Sequence, residues 1–313
     1  MICTVTLNTA LDKTIVIDRL ELGITNRVRE SRLDPGGKGT DVSRVIVELG
    51  GDTKALGFVA GDSGHYLHQV LTHHYMVKTD FIWLENQQTR TNTIIVDLSN
   101  NCQTMLNEAG PIVDEKSLHL MAEKIKAYAK QAEYLVFAGS LPKGVPQDFY
   151  KQMILVAHEA GTRPVLDTDG EPLALGIEAA PFMIKPNMEE ASRLLKRELS
   201  TRADVIAAVK ELHAKGIQYV IISMGSEGSI ATDGKQLFHV HPPKVEMKSP
   251  VGCGDSVIGG FLFALSSGQD FKAALELGTA AGAATATMEG TQLCRKEDVE
   301  RLLPLVVTEE LPM

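Results

Sequence analysis

The apolar positions of this chain change period as it runs. Short runs rich in Val, Ile, Leu and Phe, at residues 2–7, 53–59, 134–137, 164–167, 182–184 and 219–223, have the length and β-branched content of buried strands. Between the later runs, residues 147–160, 188–195 and 203–214 carry apolar positions at helical spacing. Strand, helix, strand in this order predicts an α/β fold with a doubly wound, mainly parallel sheet flanked by helices. Ligands of such sheets bind beyond the carboxyl ends of the strands. Two segments break the alternation. Residues 14–29 and 89–106, with runs such as Thr91-Asn-Thr-Ile-Ile-Val-Asp-Leu98, alternate apolar and polar positions and predict strands outside the main sheet, forming a small β lid. No linker or repeat divides the chain, so residues 1–313 are expected to form one domain with the lid as an insertion.

Composition narrows function mainly by exclusion. Hydrophobic residues at 44% and charged residues at 23% are ordinary globular values. A net charge of −9 argues against a nucleic-acid surface, so any phosphate site must concentrate positive potential locally. Cys3, Cys102, Cys253 and Cys294 show no metal-ligand spacing and suit a reduced, cytoplasmic protein. The chain opens directly on a strand-like run, and no apolar run reaches about 18 residues, so neither a signal peptide nor a membrane partner is expected. The nine histidines show no spaced ligand pair, and His73-His74 adjoin on what reads as a helix surface.

Candidate chemistry gathers at glycine-rich turns. Ser249-Pro-Val-Gly-Cys-Gly-Asp-Ser256 runs into an apolar, helix-length segment, residues 257–265. A turn of this kind opens free backbone N–H groups and the positive end of a helix dipole toward an anion. Asp255 would repel that anion unless it acts on a neutral hydroxyl while the amides hold developing charge, which suggests phosphoryl transfer to an alcohol. An N-capping Asp in a tight turn is the plain alternative. A second such turn, Gly36-Gly-Lys-Gly39, delivers Lys38 to a helix whose apolar face is Val42, Val45, Ile46 and Leu49. Its spacing is not that of a P-loop, and it does not follow a strand as a dinucleotide fingerprint does, which excludes a nicotinamide oxidoreductase. Asp12, beyond the first strand, can grip sugar hydroxyls. Arg27 and Arg90, one in each lid segment, read as a phosphate clamp if the lid brings them together. Lys185-Pro-Asn-Met-Glu-Glu190 places Asn187 and Glu190 on one helix face. That suits Mg²⁺ held through water, a capping box, or both. Ser223-Met-Gly-Ser-Glu-Gly228 ends a strand with glycines that either admit a nucleotide or form a hairpin.

With these residues assembled, the chain resembles the PfkB/ribokinase-type carbohydrate kinases from end to end. Gly36-Gly-Lys-Gly39 through Gly51 looks like the family's N-terminal signature and Pro250 to Ser256 like its C-terminal one. Lys185-Pro-Asn187 with Glu190 looks like its N-x-x-E magnesium motif. Asn8, Asp12, Asn26-Arg27, Thr89-Arg90, Gly139-Ser-Leu-Pro142 and Gly290-Thr-Gln-Leu-Cys294 resemble the branch acting on phosphorylated hexoses: 1-phosphofructokinases, tagatose-6-phosphate kinases and minor 6-phosphofructokinases. The resemblance implies a ribokinase-like fold, ATP and Mg²⁺ as cofactors, and a homodimer formed through the lid. It implies Asp255 as base, with the amides of Gly252, Cys253 and Gly254 as anion hole. It implies Asp12, Gly36, Gly37, Lys38, Asp41 and Ser140 around the sugar, and Arg27 and Arg90 on its phosphate. Lys185, Asn187, Ser223, Gly225 and Gly228 would line the nucleotide site, and Glu190 would hold the metal. Four positions depart from the family pattern: Asp41 for the usual Asn, Thr9 for Pro, Asp169 for Ser and Cys253 for Ala. A free-sugar or nucleoside kinase of the same family, and a catalytically silent sugar-phosphate sensor, are the alternatives. The retained Asp255 speaks against the sensor.

Overall fold

The computed structural model describes residues 1–313. The chain enters through β1 (Ile2–Thr6), passes through β2 (Ala10–Ile17) and β3 (Val28–Gly36), and returns as β4 (Thr53–Ala60). Then come β5 (Lys78–Thr79), β6 (Ile82–Leu84), β7 (Arg90–Asp97) and β8 (Cys102–Leu106). The carboxyl half adds β9 (Tyr134–Ala138), β10 (Arg163–Asp167), β11 (Met183–Ile184), β12 (Tyr219–Ser223), β13 (Ser229–Thr232), β14 (Leu237–His241) and β15 (Val307–Glu310). The main sheet runs β15-β14-β13-β12-β11-β10-β9-β1-β4-β5, with β6 also on β4. Every pair from β12 to β5 is parallel, and β13 to β15 close one edge as antiparallel strands.

Strand residues alternate between two cores. Leu135 and Phe137 pack on one face of β9, while Tyr134, Val136 and Ala138 pack on the other, each within a separate apolar cluster. Burial on both faces is why the parallel strands read as continuous apolar runs. The fold class is the expected one. Element ends differ slightly: the helix expected over 147–160 is Phe149–Glu159, and that over 203–214 is Arg202–His213, started by a capping box between Thr201 and Asp204.

The small sheet has four strands in the order β3-β2-β7-β8. It departs from the expected bounds of 14–29 and 89–106. It begins at Ala10, pairs Leu11 with Pro35 and Thr91, and extends β3 through Gly36. Residues 18–27 form an irregular connection rather than strand; nearly all are exposed, Leu22 by 90%, so nothing holds that stretch in a ladder.

Three helices set the site. Lys38–Glu48, Cys253–Ser266 and Phe271–Ala286 pack side by side at close range. A Cβ at Gly259 would sit 2.7 Å from Val45 Cγ1, and one at Gly260 only 3.0 Å from Gly278 Cα. These glycines let the helices approach, and so bring both glycine-rich N-termini to the carboxyl end of the sheet.

Candidate active site

A cleft of about 930 Å³ opens there, between the main sheet and the small one. Only 3 of its 28 lining residues are hydrophobic, so it suits a charged, hydroxylated ligand rather than an apolar one. The main sheet contributes Asn8 after β1, Ser140 after β9, Asp167 at the end of β10, Lys185 and Asn187 after β11, and Ser223 at the end of β12. The small sheet contributes Asp12, Arg90 and Asn92; the helix starts contribute Gly37, Lys38, Gly252, Gly254 and Asp255.

Gly252 is the N-cap of the helix Cys253–Ser266, with φ at 76°, a left-handed conformation that favours glycine. No side chain caps this terminus, so its first-turn amides are left for a ligand. A Cβ at Gly254 would meet Lys185 Nζ at 2.9 Å, so an ammonium stands against the same turn. The Cys253 side chain turns away toward the Ser249 carbonyl oxygen, 3.7 Å distant, and only the backbone of residue 253 is in play.

Asp255 follows in the third helical position, 9% exposed. Burial and the nearby Asp167 carboxylate push its carboxyl up to about 7, against the pull of Lys38 and Lys185. Asp167 is 2% exposed. Burial opposes its charge, but Lys38 and Lys185 outweigh that and hold it below the ordinary carboxylate value. Lys38 Nζ lies 3.1 Å from Asp167 Oδ2. The approach is off the hydrogen-bonding direction, and Oδ2 has no hydrogen-bond partner, so the contact is ionic. Burial likewise works against the Lys38 ammonium, and Asp167, Asp255 and Glu190 more than offset it.

Asn187 and Glu190 form a reciprocal capping box: Glu190 N donates to Asn187 Oδ1 (2.8 Å) and Asn187 N to Glu190 Oε2 (2.9 Å). Both also line the cleft, so the cap and an outward role coexist. Across the cleft, Asn92 Nδ2 donates to Asp12 Oδ1 (2.8 Å), and the Gly36 Cα packs so close to that carboxylate that any side chain would collide. Gly36 thus seats Asp12 without lining the cleft. Arg90 Nη2 donates to the Asn8 carbonyl oxygen (3.0 Å) and Nη1 to that of Glu108 (3.2 Å), which aims the guanidinium at the cleft.

The departures find local partners. Arg44, one helical turn on, donates Nη1 to Asp41 Oδ1 (2.9 Å) and to the Pro35 carbonyl oxygen (2.8 Å), and stacks over Tyr75 at 4.2 Å. Asp169 caps the helix Gly170–Gly176 and pairs with Arg193 at 2.7 Å, keeping the capping role a Ser would have. Thr9 donates to the Phe58 carbonyl oxygen.

Other expected site residues lie elsewhere. Arg27 is exposed on the 18–27 connection and does not line the cleft, so one chain does not join it to Arg90 in a clamp. Gly225 and Gly228 also lie outside the lining; they shape the antiparallel β12–β13 hairpin, where a Cβ at Gly228 would strike the Val240 carbonyl oxygen. Asp167 is a further cleft residue, outside the motifs that mark the others. Its signal was available: a carboxylate as last residue of a buried parallel strand points into the cleft such sheets use.

A small β sheet over the carboxyl ends of a parallel one, with two glycine-rich helix starts and a buried carboxylate between them, is the layout of a ribokinase-like sugar kinase. The chain belongs to the pfkB family of carbohydrate kinases, whose model matches residues 5–298. It is 35% identical over 312 residues to the 1-phosphofructokinase of Borreliella burgdorferi, covering 99% of each chain. The crystal structure of phosphofructokinase-2 from Escherichia coli, in complex with substrates and products, superposes with a TM-score of 0.92 at 29% identity, covering 97% of this chain and 98% of that one. A Thermotoga maritima structure shares the fold over 100% of both chains, with a TM-score of 0.91 at 24% identity. The protein is thus a phosphofructokinase-type sugar kinase. No helix is long and apolar enough to cross a membrane.

Proposed function

We propose that this kinase transfers the terminal phosphoryl group of ATP to a hydroxyl of a phosphorylated ketohexose, with fructose 1-phosphate the first choice. The observation that carries the reading is Asp255: a buried carboxyl, pushed up to about 7, in the first turn of an uncapped helix start that faces Arg90 across one cleft. The 35% identity to a 1-phosphofructokinase supports the choice of acceptor.

Asp255 takes the proton of the acceptor hydroxyl as its oxygen bonds to phosphorus and the bond to the leaving ADP oxygen breaks. A carboxyl near neutrality suits that step, because it is half ionised at working pH yet basic enough to pull. The amides of Gly252, Cys253 and Gly254 hold the charge on the transferring group, with Lys185 and Lys38 beside it. Asp12, Gly37, Lys38, Asp41 and Ser140 orient the sugar, and Arg90 holds its phosphate. Ser223, Asn187 and Lys185 border the nucleotide, with the Gly225–Gly228 turn behind Ser223. An oxygen donor that fits Mg²⁺ is present: Glu190 lines the cleft and keeps Oε1 outside its capping bond. Glu190 would hold that ion, which neutralises phosphate charge when bound.

Leu22 and Ile24 on the 18–27 connection and Val28 at the start of the edge strand β3, exposed by 90%, 61% and 50%, leave an apolar stretch for a second copy. Arg27 lies on the same connection and would meet a sugar phosphate only across such an interface. ADP release measured with ATP and Mg²⁺ against fructose 1-phosphate, tagatose 6-phosphate, fructose 6-phosphate and free fructose tests the reading. Turnover confined to free fructose, or none at all, would refute it.

A further inference from the structure

The antiparallel edge of the main sheet carries a second group of metal-ligating side chains. His239-Val240-His241 lies in β14, and alternate residues of a strand share one face. The two histidines are therefore a spaced pair after all, which corrects the expectation that the sequence holds none. β15 pairs with β14 so that Glu309 stands opposite His239. One nitrogen of each imidazole and one carboxylate oxygen of Glu309 all lie within 4.8 Å of one another.

His239 supplies an independent observation. It is 6% exposed, and its Nε2 lies 2.8 Å from the Glu227 carbonyl oxygen. A carbonyl only accepts, so Nε2 carries the hydrogen and Nδ1 presents a lone pair. That Nδ1 is buried with no partner. A histidine with one nitrogen tied to a backbone carbonyl and the other bare is oriented as metal-ligating histidines are.

We propose that His239, His241 and Glu309 form a site for a borderline divalent cation, Zn²⁺ foremost, separate from the kinase cleft. Two imidazoles and one carboxylate select Zn²⁺ over Mg²⁺, which prefers oxygen donors and keeps its waters. The imidazoles stack with centroids 3.8 Å apart and planes 38° apart, and the half-exposed His241 is free to turn its Nε2, now 3.9 Å from Glu309 Oε2, toward a shared ion. Arg202 is the competitor, donating to Glu309 Oε2 at 2.6 Å. Both of those side chains are nearly half exposed, and an ion pair so placed is weak. An ion here would cross-link β14 to β15 and, through His239 and the Glu227 carbonyl, brace the turn behind Ser223.

Isothermal titration of the chelator-treated full chain with ZnCl₂ tests the site. One Zn²⁺ per chain is expected, undisturbed by millimolar Mg²⁺. His241→Ala, on a half-exposed side chain that the fold does not need, should weaken binding at least about tenfold, the scale on which even outer-shell partners matter. Glu309→Gln should weaken it too, and Arg202→Ala should tighten it by freeing the carboxylate. Equal affinity in the wild type and His241→Ala, or no stoichiometric binding, overturns the proposal.

Discussion

Lys38 Nζ and Asp167 Oδ2 meet at 3.1 Å inside the cleft, tying the start of one helix to the carboxyl end of β10. Burial does most to raise the Asp255 carboxyl, and the pair adjusts it: Asp167 raises it further and Lys38 lowers it. Asp255 must be ionised to accept a proton, so kcat/KM should fall on the acid side of about pH 7 and level off above it. Asp167→Asn removes the like charge, so Asp255 ionises more easily and the acid limb moves to lower pH. A pH–rate profile checks this; a limb that stays in place in the variant would contradict the coupling.

Arg90 is the only arginine lining the cleft. Arg90→Ala should raise KM for the sugar phosphate by about tenfold to a hundredfold, the range for losing charge-assisted hydrogen bonds worth about 1.5–3 kcal/mol. KM for ATP should barely change. Steady-state kinetics with each substrate varied in turn separates the two, and equal increases would refute a phosphate role.

Asp41 carries a specific expectation of its own. Burial pushes its carboxyl well above the ordinary value despite the Arg44 guanidinium, and the charges of Asp255 and Asp12 add to that. Its Oδ1 accepts from Arg44 Nη1, a bond that the Oδ1 of an Asn would also accept. Asp41→Asn should therefore change the sugar-phosphate KM by less than about threefold, whereas Asp41→Ala, losing a hydrogen bond worth about 1 kcal/mol, should raise it by at least that much. A large effect of Asp41→Asn would mean the residue works as an ionised carboxylate.

Helix spacing behind the site is also testable. Gly260→Ala places a methyl 3.0 Å from Gly278 Cα and from the Leu277 carbonyl oxygen. Overpacking backbone against backbone should cost about 1–3 kcal/mol, read as a lower urea midpoint with an unchanged slope.

The strands of the parallel sheet were legible because burial on both faces makes each a continuous apolar run, as in β9 and β12. The glycine-rich helix starts were legible too, since Gly252 and Gly37 take left-handed or otherwise positive φ that few other residues adopt. Arg27 misled because a positive charge in a β-rich segment says nothing about which side of a sheet it reaches. The Gly225–Gly228 hairpin was compatible with two geometries, and only the pairing of β12 with β13 separates them. Asp167 and Arg44 act through neighbours far apart in sequence or one helical turn away, Lys38 and Asp41 respectively, and no local pattern announces such pairs.

The central claim is that Asp255 removes a proton from a hydroxyl of a phosphorylated sugar. Its most direct test is ADP release with fructose 1-phosphate, ATP and Mg²⁺, measured for the wild type and Asp255→Asn alongside ATP binding by each. The wild type should turn over, and the variant should lose about 10²–10⁴-fold in kcat while binding ATP nearly as well. Near-normal turnover by Asp255→Asn would contradict the assignment.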